Sequence, residues 1–68
     1  MKDFKIKDEY IKLGQLLKAC GIAGTGLEAK EMILTGEVRV NGEKEERRGR
    51  KIYPGDVVFA ENEEITVK

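Results

Sequence analysis

The hydrophobic pattern of the chain changes period once, near Gly36, and that change narrows what the chain can fold into. Before it, Leu13, Leu16, Leu17 and Cys20 recur at i, i+3, i+4 and i+7, the spacing that lines one face of an α-helix. After it, Val38 and Val40 flank Arg39 in strict alternation and lead into Asn41-Gly42, the strongest short signal for a hairpin turn. Helical spacing followed by strand alternation predicts an α+β fold. At 68 residues the chain is one domain, residues 1–68, with a thin core.

Local signals divide each half further. Gly21 can end the first helix in the left-handed conformation, with Ile22 placed to fold back on Leu17. Thr25 and Glu28 stand in capping-box register, so a second helix begins there, carries Ala29, Met32 and Ile33 on one face, and runs to Gly36. The short, Gly-rich link from Gly21 to Gly24 predicts a compact helical hairpin. In the second half Pro54-Gly55 has the residues of a type II turn, Val57-Val58-Phe59 reads as a strand, and Ile65-Thr66-Val67 as another. Phe4 and Ile6 alternate with Lys5 and Lys7, which predicts an N-terminal edge strand.

Composition removes several function classes. With one cysteine, Cys20, no disulfide can form within the chain, which points to a reducing, cytoplasmic setting. There is no histidine, so the usual zinc constellations are excluded, and no loop has the carboxylate spacing of a calcium site. No cofactor or metal is expected. The same shortage leaves no nucleophile-base pair, so the chain does not read as an enzyme. Apolar runs fall far short of the roughly 20 residues of a membrane span, and the N-terminus lacks a secretory signal.

Charge is balanced in number, 13 basic against 13 acidic residues, yet uneven in place. Residues 1–24 hold five Lys against three acids, and residues 60–68 hold three Glu against one Lys. The sharpest excess is Arg47-Arg48-Gly49-Arg50-Lys51, four cations in five residues. Adjacent cations repel one another unless an anion screens them, so the run points to a phosphate-bearing partner. Glu43, Glu45 and Glu46 lie just upstream, and a solvated loop of mixed charge is the competing reading. Gly49 either brings the backbone close to a phosphate or simply forms a turn.

The ordered series Ala29-x-x-Met32-Ile33-x-x-Gly36-x-Val38-x-Val40-Asn41-Gly42, followed by the basic run and Gly55-Asp56-Val57-Val58, resembles the RNA-binding domain named after small-subunit ribosomal protein S-four, also called the alpha-L motif. The likeness spans roughly residues 13 to 59. It implies a two-helix hairpin on a small, bent, mainly antiparallel sheet, with structured RNA, ribosomal or transfer, bound on the face shared by helix and strand loop. The family commonly has Ser-Arg at the start of the second helix, where this chain has Thr25-Gly26. Lys30, one turn on, is the expected substitute for the missing Arg. This departure and the length resemble small free-standing bacterial members rather than domains appended to enzymes.

The expected RNA contacts are therefore Lys30, Arg39, Arg47, Arg48, Arg50, Lys51 and Lys18, with the basic run foremost; Lys18, Lys30 and Arg39 also fit solvated positions. Arg forks and Lys ammonium groups both suit phosphate, and helix N-termini add further donors. Tyr10 and Tyr53 read as half-buried packing residues; Tyr53, nearest the run, is the candidate for stacking on a base. The partner is structured RNA, free or within a ribonucleoprotein particle, bound by a monomer. Two rivals share parts of the pattern. A protein-binding adaptor would dock an acidic partner on the same loop. A β-grasp sulfur carrier shares the Asn-Gly-Glu turn but needs a C-terminal Gly-Gly, where this sequence has Val67-Lys68.

Overall fold

The computed structural model describes residues 2–68. Its elements run β1 (Lys2–Phe4), β2 (Ile11–Lys12), α1 (Leu13–Ala19), α2 (Gly26–Leu34), β3 (Arg39–Val40), β4 (Glu43–Lys44), β5 (Lys51–Ile52), β6 (Val57–Ala60) and β7 (Glu63–Val67). One five-stranded sheet has the order β1-β7-β6-β3-β4, and β2 pairs with β5 in a separate two-stranded ribbon. Only β1 runs parallel to its neighbour, β7. The α+β fold and the helical hairpin expected from the sequence are both present.

Helix α2 forms where its ends are satisfied. The Thr25 hydroxyl accepts the Glu28 N–H at 3.1 Å, and the Glu28 carboxylate accepts the Gly24 N–H at 3.3 Å, so the return contact of the capping box falls one residue upstream of the cap. At its other end Gly36 adopts φ +82°, while the N–H groups of Gly36 and Glu37 donate to the carbonyls of Ile33 and Met32. A Cβ on Gly36 would also strike the Lys44 side chain. Helix α1 is capped differently. Its N-cap, Lys12, makes no side-chain capping bond; instead the Leu13 and Gly14 N–H groups donate to the carbonyls of Arg50 and Arg48, each at 2.9 Å. The basic run thus closes the start of α1.

The strand half follows its turns. Asn41 and Gly42, with φ +52° and +85°, form the tight turn that places Val40 opposite Glu43. The Asn41 side chain then reaches across the sheet, donating to the Asp56 carboxylate at 3.0 Å and accepting the Val57 N–H at 2.9 Å. Asp56 also accepts the Tyr53 N–H at 2.8 Å, so the Asn-Gly and Gly-Asp signals are parts of one hydrogen-bonded unit. The edge strand β1 is shorter than the Phe4–Ile6 alternation implies. Beyond Phe4 the chain is held by the Ile6 N–H on the Lys68 carbonyl at 2.9 Å.

Leu13, Leu16, Leu17, Ala29 and Ile33 from the helices meet Val40, Ile52, Val58, Ile65 and Val67 from the strands in a single core of nearly or fully buried side chains. Each buried Leu, Ile or Val contributes about 1.5–3 kcal/mol, which is what holds the two layers together. Arg39 and Phe59, paired in register next to the buried Val40 and Val58, consequently lie on the sheet face turned away from the helices. No helix among the described residues is long and apolar enough to cross a membrane.

Candidate nucleic-acid interface

The basic run is not a uniformly solvated loop, and the reason is Glu45. Its backbone N–H donates to the Val38 carbonyl at 3.1 Å, extending the β3–β4 ladder and turning its side chain inward, where only 7% remains exposed. Five donors converge on that carboxylate. The Glu46 and Arg47 N–H groups and Arg47 Nε reach Oε2 at 3.1, 3.0 and 3.1 Å, while Arg50 Nη1 and Arg47 Nη2 reach Oε1 at 2.8 and 3.3 Å. The hydrogen bonds from Arg47, then Arg50, outweigh burial and hold the Glu45 carboxyl down to about 2, and the Arg47 guanidinium is raised in turn. The competing reading of a solvated loop therefore fails at Glu45, the buried anchor around which the run folds. Glu43 and Glu46 are exposed, as expected.

Anchoring splits the run into parts with different tasks. Arg47 and Arg50 are tied to Glu45, and the Arg50 N–H closes a turn on the Arg47 carbonyl at 3.2 Å. Arg48 and Gly49 stand at the corner of that turn. They line an open cleft of about 260 Å³ with Lys12 of β2, Gln15 and Lys18 of α1, and Gly26 and Ala29 of α2. Among the described residues none of Lys12, Lys18 or Arg48 has a carboxylate within ion-pair distance, although Lys2, Lys68, Arg47 and Arg50 do. The cleft thus gathers free cations beside the first turn of α2, where N–H groups and the helix dipole favour an anion.

Gly26, where a resembling domain would have Arg, lines the cleft, and a Cβ added there would meet nothing within 4 Å. Lys18 lines the cleft, and Lys30 lies on exposed helix surface one turn beyond Gly26. Lys51 is drawn to the ribbon, its Nζ 4.9 Å from the Tyr10 ring centroid, and Tyr53 packs against Tyr10 with ring centroids 5.7 Å apart. Arg39, on the outer sheet face, is not brought to the cleft. Lys12 was missed from the sequence, where it is one lysine among several; its place beside the basic run comes from the pairing of β2 with β5.

Comparison with known proteins identifies the family of the fold. The family profile described as "S4 domain" matches residues 4–68. The chain belongs to the S4-domain family. It is 48% identical over 56 residues to the probable ribosome maturation protein RlbA of Bacillus subtilis, covering 82% of this chain and 79% of that protein. A 43-residue stretch is 37% identical to the small ribosomal subunit protein uS4m of Schizosaccharomyces pombe, covering 63% of this chain and only 13% of that longer protein. The solution structure of YbcJ from E. coli, described as revealing an ALFAL motif involved in RNA-binding, superposes with a TM-score of 0.74 at 34% identity, over 98% of this chain and 86% of that one.

Proposed function

We propose that this S4-domain chain is a non-catalytic RNA-binding protein that grips structured ribosomal RNA through phosphates held in the basic cleft and acts in ribosome maturation in the cytoplasm. The observation that carries the reading is the convergence of unpaired Lys12, Lys18 and Arg48 on one cleft at the start of α2. Three cations with no internal anion, next to a helix N-terminus, match successive phosphates of a folded backbone better than they match any small metabolite. The relation to YbcJ supports RNA binding, and the relation to RlbA, named a probable ribosome maturation protein, favours ribosomal RNA over other RNAs.

Arg47 and Arg50 serve in this reading as the frame that presents Arg48, and exposed Lys30 on α2 and Lys51 on β5 add cations on elements that border the cleft or pair with its rim. The adaptor reading draws on Leu27 and Leu34, 65% and 56% exposed, which stand two turns apart on α2. Crosslinking in cells, followed by sequencing of the attached RNA, separates the two. Enrichment of ribosomal RNA or its precursors supports the proposal, and recovery of protein partners without RNA overturns it.

A further inference from the structure

We infer that the outward face of the β2–β5 ribbon is a stacking platform for an unpaired nucleotide, so that the RNA recognised is a helix with a single-stranded flank. The inference rests on the RNA reading above and names the form of RNA. In the ribbon Ile11 pairs with Ile52 and Lys12 with Lys51. Ile52 is fully buried, so Lys51 and Tyr53 on either side of it face outward, and Tyr10 stands opposite Tyr53 at the next position of the ladder. One surface therefore presents two lysines at the end bordering the phosphate cleft and two tyrosines at the other.

Tyr10 is half-buried and Tyr53 exposed, and both stand outside the core. The half-buried apolar side chains that pack on the core are Phe4, Ile6, Ile11 and Cys20; neither tyrosine is among them. Neither phenol hydroxyl has a hydrogen-bond partner among the described residues. The rings lean on each other at 49°, the Lys51 ammonium lies over Tyr10, and Tyr53 keeps 41% of its surface exposed. Beyond Tyr10 a groove of about 340 Å³ continues past Lys5, Lys7 and Asp8, and Gln15 lines both this groove and the cleft.

That order, cations and then aromatics, matches a strand leaving a helix. A duplex hides its base faces in the stack and offers only phosphate and sugar, which the cleft can hold. An unpaired base exposes a π-face, and an aromatic ring with a cation beside it gains from covering it. Two residues of strand, about 6.6 Å, separate Lys51 from Tyr53, a span that reaches from a bound phosphate to the neighbouring base.

The test uses the whole chain and two RNA hairpins, one blunt and one carrying a short single-stranded extension with 2-aminopurine at its first unpaired position. The extended hairpin should bind roughly 5- to 150-fold tighter, the range for one base stacked on an aromatic residue. Its 2-aminopurine emission should be quenched on binding. Tyr53→Ala should remove both effects and Tyr53→Phe should retain them, with circular dichroism melts confirming that each variant is folded. Equal affinity for the two hairpins, or quenching that survives in folded Tyr53→Ala, overturns the platform while leaving phosphate binding in place. Failure of both hairpins to bind overturns the RNA reading as well.

Discussion

Replacing Glu45 with Gln tests whether a buried carboxylate organises the basic turn. The substitution keeps the side-chain size but leaves a single acceptor oxygen and turns an NH2 group toward the two guanidinium groups. Arg47 is 76% exposed, so its ion pair with Glu45 adds no more than about 1 kcal/mol. Arg50, 33% exposed and at 2.8 Å, makes the stronger contact, and a hydrogen bond to a charged group contributes about 1.5–3 kcal/mol. A loss of roughly 2–3 kcal/mol follows, which in a domain this small lowers Tm by about 10–20 °C. Thermal melts by circular dichroism measure it. A second signature comes from acid: the folded carboxyl, at about 2, lies below its ordinary 4.5, so its stabilisation is complete above pH 4.5 and is lost as pH falls toward 2. Glu45→Gln should flatten stability across that window. A Tm change below about 2 °C together with an unaltered acid profile would refute the anchoring role.

Thr25→Ala removes the hydroxyl that accepts the Glu28 N–H and should cost about 0.5–2 kcal/mol, seen as a lower urea midpoint at unchanged slope. Gly36→Ala forces a Cβ into a φ of +82° and against Lys44, and should destabilise by about 1 kcal/mol or more in the same assay. Arg48→Glu should leave the melt within about 0.5 kcal/mol, since Arg48 has no ion pair among the described residues, yet weaken RNA binding strongly. Arg50→Glu should lower the melt as well, because it sets a second carboxylate against buried Glu45. A melt for Arg50→Glu no lower than that for Arg48→Glu would contradict the division of the run.

Much of the scaffold was legible because it is written locally. The apolar stripe Leu13-Leu16-Leu17 has the period of the helix it makes, Thr25 and Glu28 carry their cap in register, and Asn41-Gly42 can hardly form another turn. The ribbon was not legible. Ile11-Lys12 and Lys51-Ile52 are two residues each, far apart in the chain, and their pairing is a product of tertiary packing alone. Glu45 was hidden for the same reason. It looks no different from Glu43 and Glu46 in sequence, and only the Glu45 N–H bond to the Val38 carbonyl turns it inward. The run was therefore visible as a cluster of charge but not as a frame carrying one free arginine. Arg39 illustrates the converse: its charge was legible, and the strand alternation that put it on the outer sheet face was legible too, but its distance from the cleft required the whole topology.

The measurement closest to the central claim is a titration of a folded ribosomal RNA fragment at several salt concentrations with the wild-type chain and with Lys18→Glu/Arg48→Glu. Lys12, Lys18 and Arg48 in the cleft, with Lys30 and Lys51 beside it, allow about three to five phosphate contacts, so log affinity should fall with log salt at a slope of roughly −2 to −5. The double variant should remain folded, bind far more weakly, and show a slope shallower by about two units. A flat salt response in the wild type, or a folded double variant that binds with undiminished affinity, would contradict the assignment of the cleft.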